Sequence, residues 1–413
     1  MKSALLAAVI AACLASAQDP ATYRMAARQI TGANTDERIK MFERQLASSP
    51  DDGHLQAGLI SAYLQKVRES ADSTYLDRTS KLVDRMLDKD AGSFTALRFQ
   101  NEIDLQRHDF KAVAERAEDM TKYAPSDPGC WGNLGDALME LGEYERAGQA
   151  CRKMFSLRPN LASYNRLAYF YFVTGDARRG IALMQDAIAA GDPQEENVAW
   201  CWAELGDMYF KTGKLEEAAE AYHAALHLFP SLHRASAGLG RVEAAQGHLQ
   251  TAIKNYKHAQ SIVPLVEYAA ALEDLYRSAG LPKEAHEQEE LMETIEKLGA
   301  ANGEKTNRNL ALALADHNRN LSGALSLVQA EIPIRGDVYT WDAFSWVLFK
   351  NGRLEEAKAA SAKALKLGTP EPLFYYHAKA IAQASGDAKA ARDYSDRLIS
   401  LNSKFKITEE GTK

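Results

Sequence analysis

At 413 residues the chain is long enough for two or three ordinary domains. Its formal net charge of −7 and pI near 5.9 argue against a nucleic-acid partner, which calls for a basic stripe. The first residues read as an export signal. Lys2 is a short positive region, Ala4 to Leu14 is apolar, and Ala15-Ser16-Ala17 is a small-residue cleavage site that leaves Gln18 as the new N-terminus. Two alternatives stay open: a buried N-terminal helix, and a lipobox-like Ile10-Ala11-Ala12-Cys13 with Cys13 carrying the lipid. No later stretch is apolar enough to span a bilayer. Beyond the signal, Cys130, Cys151 and Cys201 are odd in number, and no structural disulfide is expected.

Residues 18–51 are expected to form a polar leader and a lone capping helix, with Ile39, Phe42 and Leu46 on one face. Asp52 to Val67 and Tyr75 to Leu87 form a first helical pair, joined by a longer turn over Arg68 to Thr74. The next pair runs from Phe94 to Pro125 and has His108-Asp109 where later turns have glycine. Trp131, Leu134-Gly135, Gly142, Ala147 and Pro159 then set a pattern. It returns as Trp202, Leu205-Gly206, Tyr209, Gly213, Ala218, Tyr222, Ala225 and Pro230. Thirty-four residues further on it reads Leu239-Gly240, Gly247, Ala252, Tyr256, Ala259 and Pro264. In each copy the large apolar residues fall three and four apart on one helix face, glycine permits the reversal, and proline stops the second helix. Further copies follow to about residue 405, the weakest over Lys305 to Gly336 and the last two clear again, with a Gly/Asn/Lys insertion at Gly299 to Thr306 as the expected point of flexibility.

This register resembles the tetratricopeptide (TPR) repeat, whose signature is W-x2-L-G-x2-Y, A-x3-F, P. The resemblance covers nearly the whole chain. It implies an all-α solenoid, a right-handed superhelix of helix-turn-helix units. On this reading residues 1–17 are the signal, 52–299 hold about seven units, 300–304 are an insertion, 305–405 hold about three units, and 406–413 are a polar tail.

The sequence carries no persuasive catalytic constellation. His286-Glu287 with Glu290 lacks the second histidine of a zinc-peptidase helix. His223 and His227 share a helix face with no further ligand nearby. Gly238-Leu-Gly240 lies inside a repeat helix, not after a strand, and Asn320-Leu-Ser322 is a sequon only in a eukaryotic secretory pathway. No enzyme activity, metal or cofactor is expected.

The resemblance implies that the first helix of each repeat lines a concave groove that takes extended peptides or partner helices. The candidate partner-binding residues are therefore Asn133, Asn165, Arg166, Tyr169, Phe172, Trp200, Asp207, Phe210, Lys211 and Arg241. A second aromatic group comprises Tyr339, Trp346, Phe349 and Tyr376. Asn133 and Arg166 match parts of the family's carboxylate clamp, but no complete clamp is present. The expected function is that of an exported scaffold for a protein or extended peptide, in the periplasm or at the cell surface if bacterial. A glycan- or peptidoglycan-binding solenoid and an enzyme with an unrecognised site in the groove are the alternatives.

Overall fold

The computed structural model describes residues 34–70, 72–192, 196–301 and 306–405. The expected export signal and Cys13 lie outside the described residues, as do 302–305 of the insertion and the tail from 406. The described residues form an all-α solenoid. A lone helix α1 (Thr35–Ser48) is followed by ten hairpins. These pair α2 (Gly53–Ser70) with α3 (Ser73–Lys89), α4 (Phe94–Gln106) with α5 (Phe110–Tyr123), and α6 (Pro128–Glu140) with α7 (Tyr144–Leu157). Next come α8 (Leu161–Val173) with α9 (Ala177–Ala189), α10 (Glu196–Lys211) with α11 (Leu215–Leu228), and α12 (His233–Gln246) with α13 (Leu249–Ile262). The last four are α14 (Val266–Ser278) with α15 (Pro282–Ala301), α16 (Arg308–Asp316) with α17 (Leu321–Glu331), α18 (Val338–Lys350) with α19 (Leu354–Ala364), and α20 (Pro372–Ala384) with α21 (Ala388–Leu401).

The chain divides into two compact units, one up to Leu134 and one from Gly135. In the first unit α1 is tied down by Ile39 and Phe42, which pack on Leu59, Ile60 and Tyr63 of α2. Two sequence expectations need correction. The turn after α2 is short, because the helix continues through Ser70 and Asp72 already caps α3 by accepting from the Thr74 N–H. The insertion is shorter than its composition suggests, because α15 runs on through Ala301 and absorbs Gly299 and its neighbours.

Within hairpins the packing follows small-against-large pairs. Tyr222 is fully buried on α11 with its ring against Gly206 of α10 and Gly238 of α12. A side chain on either glycine would occupy the space of that ring. Turn geometry holds even where glycine is missing. Seven hairpin turns, at Gly142, Gly175, Gly213, Gly247, Gly280, Gly352 and Gly386, use a glycine with positive φ, while His108 (φ 61°) and Asn318 (φ 51°) adopt the same hand in theirs. His and Asn are among the residues that tolerate this region best.

In the second unit consecutive first helices touch, α8 with α10, α10 with α12, and onward from α14 through α20. These helices line the inner face. The unit also winds back on itself. The Val338 N–H donates to the Tyr144 hydroxyl at 2.8 Å, the Thr369 hydroxyl donates to the Val173 carbonyl at 2.6 Å, and the Asn402 amide donates to the Phe210 carbonyl at 2.8 Å. Three successive hairpin turns thus dock on the connections before α18 and before α20 and on the segment that follows α21, about 190 residues later. The three free cysteines, Cys130 in the first unit and Cys151 and Cys201 in the second, are all buried, and burial pushes each thiol up to about 12.

Candidate functional site

Trp200, Glu204, Asp207 and Lys211 fall at i, i+4, i+7 and i+11 on α10 and form one stripe along its inner side. Each is met by a side chain from another first helix or from the second pass of the chain. The Arg234 guanidinium of α12 lies 4.3 Å from the Trp200 ring centroid and pairs with Glu204 at 2.7 Å and Asp207 at 3.0 Å. Arg241, one helix turn pair further along α12, also binds Asp207, and its guanidinium sits 5.3 Å from the Phe210 ring. The Tyr222 hydroxyl reaches through from α11 and donates to Asp207 at 2.5 Å. Burial works against ionisation of Asp207, but Arg241, Arg234 and Lys211 more than offset it and hold the carboxyl down at about 2.

Lys211 leaves this group in the other direction. Its ammonium pairs with Glu371 at 2.8 Å and donates to the Tyr339 hydroxyl at 3.4 Å. Burial opposes its charge, yet Glu371, Tyr339 and Asp207 hold it well above the ordinary lysine range. Beside it lies a small polar cleft of about 20 Å³ lined by Glu140, Tyr144, Tyr169, Arg308, Asp337 and Tyr339, room for about one water. Burial pushes Glu140 up to about 7 despite Arg335, whose Nε lies 2.8 Å from its carboxylate. Burial likewise raises the Tyr169 hydroxyl well above its usual range. Arg166 of α8 chelates Asp136 of α6 through Nε and Nη2 at 2.8–3.0 Å.

The structure brings together Arg166, Tyr169, Trp200, Asp207, Phe210, Lys211 and Arg241 on the inner face of the second unit. Phe172 is nearly fully buried, with the Lys211 ammonium 6.0 Å from its ring. Asn165 is turned between repeats, its amide donating to the sulfurs of Met184 (3.6 Å) and Cys201 (3.4 Å). Asn133 belongs to the first unit and is buried. The second aromatic group separates into two. Trp346, Phe349 and Tyr376 form one cluster, in which Trp346 stacks on the buried His377 at 4.2 Å and donates to Asp316 at 2.6 Å. Tyr339 instead joins the central group through Lys211, Arg308 and Phe374.

Sequence reasoning missed Glu140, Arg308, Arg335, Asp337 and Glu371. One available signal was positional: Trp200 and Arg234 are 34 residues apart, as are Asp207 and Arg241, so each pair occupies equivalent sites on neighbouring first helices. The inner groups are paired but not sealed from water. Their side chains keep 16% (Asp207), 20% (Lys211), 28% (Arg166) and 36% (Arg241) of their accessible surface. The arrangement is a charged, aromatic-lined wall along the inner side of α10, and its chemistry is that of ion pairing and stacking.

Residues 165–233 and 203–264 match a family profile described as tetratricopeptide repeat, and residues 128–161 match a second profile of the same description. Among solved structures the chain is similar to the APC/C hetero-tetramer Cut9–Hcn1, with 14% identity over 86% of this chain and 58% of that one and a TM-score of 0.53. It is also similar to MamA, with 24% identity over 40% of this chain and 97% of MamA and a TM-score of 0.35. PilW, described as a widely conserved type IV pilus biogenesis factor, is 19% identical over 48% of this chain and 91% of its own, with a TM-score of 0.43. Likeness at these identities concerns the fold. No curated protein sequence matches this one.

Proposed function

Because this chain is a tetratricopeptide repeat protein, we propose that it acts as an exported, non-enzymatic scaffold that holds an extended protein segment against the inner face of its second unit. The observation that carries the reading is the stripe Trp200, Glu204, Asp207 and Lys211, together with Arg166 and Arg241, whose charged ends are paired and still reached by water. A partner carboxylate can displace Asp136 from the two-point contact of Arg166, or Asp207 from the single Nη2 contact of Arg241, because a guanidinium offers its N–H donors to either carboxylate. Asp207 displaced from Arg241 keeps Arg234 at 3.0 Å, and Asp136, with 31% of its side-chain surface exposed, returns to water, so neither displaced carboxylate is left buried and unpaired. Trp200 adds a flat apolar surface of the kind that anchors a bound segment. Export rests on Lys2, the apolar run Ala4 to Leu14 and Ala15-Ser16-Ala17, and it suits an envelope or secretion complex.

The test is capture of partners from an envelope extract by the mature chain and by a variant carrying Arg166→Ala and Trp200→Ala, with circular dichroism to confirm that both fold. A protein held by the first and lost by the second is the expected result. Equal retention by both overturns the inner-face assignment, and retention of glycan fragments in place of protein moves the reading to a carbohydrate-binding solenoid. Mass spectrometry of the exported chain checks the signal: a mature N-terminus at Gln18 is expected, and a lipid-bearing Cys13 would replace ordinary export by anchoring.

A further inference from the structure

The outer face of the second unit carries an apolar notch of about 300 Å³, between α9 and α11 and floored by α10. Its walls are Ile188, Trp202, Leu205, Tyr209, Ala221 and Ala224, and its rim carries Gln185, Glu217 and Glu220. The notch exists because α11 has alanine at 221 and 224. One repeat later the equivalent positions on α13 are Asn255 and His258, whose side chains extend where these alanines leave space. Trp202 and Tyr209 are only half-buried, although their helix is packed on four neighbours. An indole and a phenol left against water at the base of a recess are a standing hydrophobic cost that a bound side chain removes.

The rim decides what kind of side chain arrives. Glu217 and Glu220 are exposed, and neither makes an ion pair among the described residues. The Tyr209 ring already draws a cation, with the Lys214 ammonium 5.6 Å from its centroid, and its hydroxyl accepts from Gln185 at 2.9 Å. The floor is thus apolar and electron-rich while the edge is negative. A volume of about 300 Å³ stands at the lower end of the range for small-ligand sites, enough for one or two side chains and too small for a domain edge.

We propose that this notch is a docking site for a protein segment that inserts one large apolar side chain and sets a lysine or arginine beside it, against Glu217 and Glu220. The site lies on the outer side of the helices, so it is independent of the inner-face reading and allows the scaffold to hold a second partner. Its anchor gains from burial of apolar surface, and the flanking cation sets orientation and salt dependence more than affinity.

The experiment uses a displayed library of random twelve-residue peptides selected on the full mature chain. Selected sequences are expected to share a Leu, Ile, Phe or Trp within one helical turn of Lys or Arg. Synthetic copies should bind at least tenfold more weakly to Ala224→Trp, which fills the notch, and several-fold more weakly to Glu217→Lys/Glu220→Lys, an exposed pair whose replacement leaves the packing intact. They should bind unchanged to Arg166→Ala/Trp200→Ala, so failure here and failure of the inner-face reading are told apart. No enrichment of such sequences, equal binding to the filled variant, or selection of acidic in place of basic flanks each overturns the proposal.

Discussion

Asp207 concentrates the chemistry of the inner face at a single carboxylate, and its protonation is coupled to folding. Its folded carboxyl, held at about 2 by Arg241 and Arg234, lies below the ordinary value of 3.8. A lowered carboxyl contributes stability that is present above 3.8 and lost as pH falls through about 2, worth about 2 kcal/mol at ~1.4 kcal/mol per unit. Urea unfolding of the wild type and Asp207→Asn across pH 5 to 2 should show the gap between them closing in that window. A constant gap would mean that the carboxylate is not held by its arginines. His317 acts in the opposite sense. It is nearly fully buried, and although burial opposes its charge, Asp274 at 3.0 Å and Glu273 raise it to about 9. Its contribution is complete below the ordinary 6.5 and lost as pH rises through about 9. Wild-type stability should therefore fall by about 3 kcal/mol between pH 6 and 10, on the scale of ~1.4 kcal/mol per unit, and His317→Gln should flatten that slope. Trp200, Asp207 and Arg241 were legible as groups off the packing face, and repeat arithmetic could have matched Trp200 with Arg234 and Asp207 with Arg241. Glu371 was not legible, because nothing local marks its approach to a lysine 160 residues earlier.

The hairpin is the element that the sequence declares most clearly, through its small residues and its turn glycine. Identical turn chemistry nonetheless sits in two environments. A Cβ on Gly213 would lie 2.8 Å from the Leu401 carbonyl oxygen, and one on Gly175 would lie 2.6 Å from that of Leu367. A Cβ on Gly247, Gly280, Gly352 or Gly386 would meet nothing within 4 Å. All of these glycines are left-handed, so alanine at any of them costs about 1 kcal/mol in backbone strain. At Gly175 and Gly213 the new methyl must also push aside backbone, which cannot rotate away as a side-chain end can. Gly247→Ala is expected to lower stability by about 1 kcal/mol and Gly213→Ala by about 2–3 kcal/mol, measured by denaturant midpoint at unchanged slope. Equal losses would show that the covered turns are not packed as described. The sequence pattern predicts the turn and its hand in both cases. It is silent on which turns are covered, since that depends on where the chain returns.

That return is a property of the whole second unit. In a simple solenoid each repeat rests on its neighbours alone, and a change in the last hairpin stays there. Here the superhelix comes round within about six repeats and touches itself, so residues far apart in sequence share hydrogen bonds. The 34-residue register makes the all-α solenoid legible. Its pitch is not, because small rotations between repeats accumulate over a full turn and are set by packing details at every junction. Asn402 tests the coupling. It is almost fully buried, and its amide supplies one of two donors to the Phe210 carbonyl, the other being the Gly213 N–H. Asn402→Ala removes the distant donor and should cost about 1 kcal/mol locally, a roughly fivefold faster amide exchange at the 210–214 turn. The open turns at Gly247 and Gly280 act as internal controls and should exchange as before. Faster exchange confined to α20 and α21 would mean that the second pass only rests against the first. A response at 210–214, some 190 residues away, would show that the inner wall is braced by closure, since only the contact of Asn402 with the Phe210 carbonyl was removed.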